Sequence, residues 1–143
     1  MDTKFSVALH ILIYIEESDK EVTSELLARS VGTNASYIRK ITGLLKDSGI
    51  IETHRGKKGI TLNMEPDELT LDKVYFAVCP DKELLSVHET ANRECPIGEN
   101  INEVLEPVFE ESERQLVLNL KKKTLKNLID DMYESYNRKR RTN

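Results

Sequence analysis

Residues 23–49, "TSELLARSVGTNASYIRKITGLLKDSG", constrain the fold of this chain more than any other stretch. They hold two amphipathic runs of helical spacing joined by a short turn. Thr23 or Ser24 is suited to cap the first run, and Gly32 is a natural stop for it. In the second run Ile38, Ile41, Leu44 and Leu45 form one face, and Gly49 ends it. Ser36, Arg39, Lys40 and Gly43 point the other way.

Two short β-prone segments follow, "IIETH" and "GITLNM", joined by the glycine-containing turn "RGKKG". They read as a hairpin. Upstream, Phe5, Ala8, Leu9, Leu12 and Ile15 give residues 4–16 helical spacing. Downstream, "LTLDKVYFAV" reads as a short helix capped by Thr70, and residues 79–96 look irregular between Pro80 and Pro96. Residues 97–120 place Ile101, Val104, Leu105, Val108, Phe109, Leu116 and Leu120 at the spacing of a long amphipathic helix. Pro107 should kink that helix or interrupt its ladder. Thr124 caps a last helix, and the tail "NRKRRTN" is expected to be loose.

Helix, turn, helix and a two-stranded hairpin is the element order of a winged helix-turn-helix. The expected fold class is therefore mainly α with a small β-hairpin: a winged helix-turn-helix domain plus a long helix, read as a dimerisation helix because its apolar stripe must be hidden and a second copy is the natural cover. The expected organisation is a DNA-binding domain over 1–78, a sensor loop over 79–96, and the dimerisation and C-terminal helices over 97–143. The apolar face of 36–46 must be buried against 4–16 and 23–31, which turns Ser36, Arg39 and Lys40 outward, with Asn34 and Tyr37 at the edge. A helix of this kind fits the major groove, where arginine pairs bidentately with guanine and Ser or Asn bonds bases or phosphates. The hairpin tip, Arg55, Gly56, Lys57, Lys58 and Gly59, combines long cations with a small backbone, which suits a narrow minor groove or a row of phosphates.

The net charge of −4 does not by itself favour a polyanion. Its distribution does. Residues 29–59 carry seven basic and two acidic residues, and 121–143 carry eight and three, each a net +5. Residues 64–120 carry four and fourteen, a net −10. DNA would be drawn to the basic face and repelled by the acidic middle. Basic residues on exposed helix faces are usually just solvated; here two clusters fall at the two places a winged helix uses.

The 143 residues fit one domain, or one small domain with an appendage. The densest apolar run, "VALHILIYI", is too short to cross a bilayer, so no membrane partner is expected and the chain reads as cytoplasmic. No P-loop, dinucleotide fingerprint or nucleophile elbow is present, and no catalytic set converges, so the chain is not expected to be an enzyme. His10 reads as packed within an apolar helix, and His54 sits beside Arg55 within reach of a phosphate. His88 with Cys95 or Cys79 matches no zinc spacing.

Several segments together resemble the Rrf2 family of transcription regulators. They are "KFSVALHIL", "SELLARSVGTNASYIRKITGLLKDSGII", the wing "RGKKGITL", "PDELTLDKVYFAV" and "HETANRECPIGENI". The resemblance implies a homodimer joined through the long helix, binding a palindromic operator in double-stranded DNA, usually as a repressor. It also places Ser36, Arg39 and Lys40 on the recognition helix and residues 55–59 at the wing tip. Lys57 and Lys58 stand where many family wings have proline and glycine, which should strengthen phosphate attraction. Iron–sulfur members carry three cysteines after the wing. Here only Cys95 falls where one is expected, so no cofactor is implied.

Cys95 precedes Pro96 at the entry to the long helix, where the N-terminal dipole lowers a thiol pKa. Two readings stand side by side. Either Cys95 is a redox or electrophile sensor, oxidised for example to a disulfide with Cys79 or with another subunit, or it is a small structural thiol at a loop junction. Cys79 ends the apolar run "VYFAVC" and reads as core. Two alternatives to a thiol-regulated repressor remain: a protein–protein adaptor built on a winged helix, and a regulator that binds a small-molecule effector without cysteine chemistry.

Overall fold

The computed structural model describes residues 2–55, 59–80 and 85–141. Its elements in chain order are α1 (Lys4–Glu17), α2 (Ser24–Val31), α3 (Ala35–Asp47), β1 (Ile51–Thr53), β2 (Ile60–Leu62), α4 (Leu71–Val78), α5 (Pro96–Lys121) and α6 (Leu125–Arg141). The expected class, mainly helical with a two-stranded antiparallel hairpin, is what the chain adopts.

Local chemistry sets the boundaries of α2 and α3. The Thr23 hydroxyl accepts the Leu26 N–H at 3.2 Å, and the Asn34 carboxamide oxygen accepts the Tyr37 N–H at 2.8 Å. Each satisfies an orphan donor of a first turn. Gly32 closes α2 at φ 84°, with the Gly32 and Thr33 N–H groups on the Ala28 carbonyl. After α3, Gly49 stands at φ 76°, its N–H bonded to the Lys46 carbonyl and the next N–H, that of Ile50, to Leu45. This pair of bonds is a Schellman motif, closed by the buried Ile50 and Leu45. The α3 core face differs slightly from expectation. Ile38, Ile41, Thr42 and Leu45 are buried while Leu44 is only half-buried. Thr42 is tolerated there because its hydroxyl donates to the Arg39 carbonyl at 3.2 Å.

One core joins α1, α2, α3, the hairpin, α4 and the start of α6. It includes Ile11, Leu12, Leu27, Ile38, Ile41 and Leu45, all fully buried. Leu125 and Ile129 of α6 enter it as well, so α6 folds back onto α1. Thr124 caps α6 reciprocally. Its hydroxyl accepts the Asn127 N–H at 3.2 Å, and its own N–H reaches the Asn127 side-chain oxygen at 2.9 Å.

Three local expectations need correcting. Residues 137–141 continue α6 to Arg141 rather than forming a loose tail, because cations suit the negative end of a helix dipole. Thr70 stands before α4 but its side chain makes no cap; the flanking Leu71 N–H goes to the Lys123 carbonyl and Leu125 N–H to the Leu69 carbonyl instead. His10 is exposed rather than packed, its Nε2 2.9 Å from the Ser30 hydroxyl. Pro107 lies inside α5, which runs on past it, and faces solvent; having no N–H, it leaves a gap in the helical ladder at the Glu103 carbonyl, as expected.

Candidate nucleic-acid interface

α3 is braced from behind by α1 and α2, which bury its apolar face. That leaves Ser36, Arg39 and Lys40 exposed in a row on the outer side. The two edge residues are partly committed elsewhere. The Asn34 oxygen is the helix cap, and Tyr37 is half-buried against the core. Arg39 is the best-defined cation: its guanidinium lies 3.6 Å from the Glu25 carboxylate in the first turn of α2. Both are well exposed, so the pair adds little to stability; its effect is to orient Arg39.

The hairpin is fixed to this surface at two points. The Lys46 ammonium in the last turn of α3 donates to the Thr53 hydroxyl of β1 at 3.0 Å. On the other side, Gly59 forms a bridge with Val22, and the Ile60 N–H donates to the Val22 carbonyl at 3.2 Å. Gly59 adopts φ 62°, and a Cβ there would run into the Val22 carbonyl oxygen. Glycine is required on both counts. His54 lies on this hairpin with Nε2 2.9 Å from the Thr61 hydroxyl and 3.9 Å from Glu52. A cleft of about 360 Å³ separates hairpin and helix, lined by Ser24, Arg39, Gly43, Lys46, His54 and Gly59 among others. Arg55 is exposed at the start of the turn; Gly56, Lys57 and Lys58 lie outside the described residues.

The two cysteines sit apart from this surface. Cys79 follows α4, half-buried against the core. Cys95 is exposed immediately before α5. The backbone N–H groups of Gly98 and Ile97 are directed at its sulfur. Neither closes a hydrogen bond of good geometry, yet together they favour the thiolate and hold the Cys95 pKa below the usual thiol value. Gly98, which the sequence reading did not single out, is what permits this arrangement. The loop passes so close that a Cβ at Gly98 would meet the Asn92 carbonyl, and the Cys95 N–H closes the turn onto that same carbonyl at 3.2 Å. His88 is tied to α5 through its own carbonyl, which accepts from the Asn102 amide at 3.2 Å.

Residues 1–131 match the family model described as "Rrf2: Iron-dependent Transcriptional regulator". The chain is 35% identical over 133 residues to YwnA of Bacillus subtilis (strain 168), described as an HTH-type transcriptional regulator; the match covers 93% of this chain and 99% of that one. A crystal structure of a transcriptional regulator from Lactobacillus plantarum is 26% identical, with a TM-score of 0.75, covering 93% of this chain and 91% of that one. The structure of CymR, described as the global cysteine regulator of B. subtilis, shares the fold at 19% identity, with a TM-score of 0.61, over 91% of this chain and 95% of that one.

The family description names iron, and the donor set here does not suit an iron–sulfur cluster. Such a cluster takes about four protein ligands, mostly thiolates. The chain has two cysteines, one half-buried after α4 and one exposed before α5. Among the described residues no group of three or more His, Cys, Asp or Glu side chains converges on a metal-sized site. No helix among the described residues is long and apolar enough to cross a membrane.

Proposed function

The chain belongs to the Rrf2 family of DNA-binding transcriptional regulators, which are not enzymes, and from that premise we propose that it acts as a homodimeric repressor of a palindromic operator, relieved by oxidation of Cys95. In this reading residues 1–78 hold DNA, 79–96 carry the sensor and 97–143 supply the dimer contact. The observation that carries it is the fixed relation of α3 to the hairpin: Lys46 and Gly59 hold the wing beside the row Ser36, Arg39 and Lys40. Arg39 reads a base edge, and Ser36, Lys40, Arg55, Lys57 and Lys58 engage phosphates or a minor groove.

The long helix supports the dimer. α5 runs 26 residues without one buried residue, although Ile97, Val104 and Val108 are apolar. A second copy, with its own operator half-site, is the cover that palindromic DNA calls for.

For the sensor, the exposed Cys95 thiolate attacks one oxygen of a peroxide. The O–O bond breaks, the sulfur gives up two electrons and becomes a sulfenic acid, and the other oxygen leaves as water after taking a proton. A second thiol, from Cys79 or from another subunit, can then displace the hydroxyl as water to form a disulfide. Replacing Cys95 by serine and following operator release after treatment with hydrogen peroxide, with hypochlorite and diamide alongside, tests this; release by peroxide unchanged in the variant would rule out Cys95 as the sensor.

One observation favours regulation by a small effector as a second reading. An apolar groove of about 850 Å³ runs along α1, lined by Phe5, Leu9, Ile13 and Tyr14, with Met132 of α6 on its wall and Glu17 and Lys20 at one end. Its size suits a small molecule.

A further inference from the structure

α5 and α6 part company after Lys122: α5 lies on α4, while α6 is held on α1 by its buried Leu125 and Ile129. Each then carries an unbalanced charge. On α5, Glu99, Glu103, Glu106 and Glu110 recur at helical spacing and make one exposed ridge. Like charges three and four residues apart repel, and none of these four is in an ion pair among the described residues. On α6, Ile129 is the last buried residue, Met132 and Tyr133 still lie beside α1, and the helix runs about 12 Å beyond Tyr133 to Arg141. This second half of α6 leaves Met132, Tyr133 and Tyr136 partly exposed and ends in Arg138, Lys139, Arg140 and Arg141. Arg140 rests over the Tyr136 ring at 5.0 Å. A helix dipole favours cations in a last turn, but successive cations also repel, and Arg138, Arg140 and Arg141 form no ion pair among the described residues.

We infer that the projecting basic end of α6 docks on the glutamate ridge of α5 in a second copy of the chain, and that the contact occurs twice about the two-fold axis. The inference rests on the homodimer proposed above and names a surface that holds it together. Charge complementarity selects the occupant. DNA could neutralise the arginines but would leave the glutamate ridge unbalanced, whereas a second copy answers both at once. The contact is open between copies because α6 is anchored on α1 rather than on the α5 of its own chain.

The test is sedimentation equilibrium of the full chain across salt, with circular dichroism and thermal melts confirming that each variant folds. Reversing Arg138, Arg140 and Arg141 to glutamate should raise the dimer dissociation constant about tenfold or more at low salt, as should reversing Glu103, Glu106 and Glu110 to lysine. Combining the two sets should restore it to within about threefold of the parent. A parent chain that dimerises while the α6 reversal leaves the constant unchanged overturns the docking and leaves the dimer standing. If the same variant then binds DNA less tightly, the turn serves phosphates instead. A monomeric parent chain overturns both the docking and the dimer.

Discussion

Gly59 lies directly against the backbone carbonyl of Val22, so close that no side chain fits between them. This one approach ties the wing to the segment that caps α2, and α2 braces α3. The placement of the wing beside the outer face of α3 therefore depends on a residue that contributes no charge and no side chain.

Gly59→Ala should destabilise the chain by about 1–3 kcal/mol, since it adds a collision to a positive φ of 62°. Gly43→Ala is the control. Gly43 sits inside α3 with open space where its Cβ would be, so alanine should be neutral or stabilising by up to about 1 kcal/mol. Urea denaturation of the two variants checks both signs.

Glu25→Gln should lower the ratio of operator to random-sequence affinity. It releases Arg39 from its orienting carboxylate and removes a negative charge that repels any phosphate placed near it. Fluorescence anisotropy on both DNAs should show random-sequence binding strengthened and operator binding weakened or unchanged. Thermal stability should move by less than about 1 kcal/mol, because the pair is exposed.

Cys95 should stay reactive to iodoacetamide at a pH where an ordinary thiol has ceased to react. Its pKa is depressed by the N–H groups of Gly98 and Ile97, so the thiolate persists as pH falls, down to that lowered value. Gly98→Ala should push the Asn92 turn away and move the alkylation midpoint up toward the usual thiol value. Equal midpoints in the two proteins would separate the reactivity of Cys95 from this loop.

Leu125→Ala should cost about 2–5 kcal/mol, the range for a fully buried leucine, and should unfold the whole chain in one transition. A small, local effect would mean that α6 is not integral to the core it shares with α1.

The helix-turn-helix was legible because its signals are local: a cap at Thr23 or Ser24, glycines at 32 and 49, and apolar periodicity between them; the Asn34 cap of α3 was not among them. The hairpin was legible from its turn. What escaped depends on approach between distant segments. Nothing in "RGKKG" says that its second glycine rests on Val22, and nothing in "CPIGEN" says that Gly98 lies under Asn92. Glu25 and Arg39 are fourteen positions apart, and only the crossing of α2 and α3 brings them together. The basic tail was read as loose because its composition is polar. It is helical because Leu125 and Ile129 anchor the helix that it continues.

DNA reading by α3 is tested most directly by the operator affinity of Arg39→Ala beside the parent chain, on DNA recovered from genome-wide binding and on scrambled DNA of equal length. The variant should lose about 1–3 kcal/mol on the operator, keep its affinity for scrambled DNA within a few-fold, and relax preference at one base pair in each half-site. Equal affinity of both proteins for the operator would contradict the assignment of α3 as the element that reads DNA.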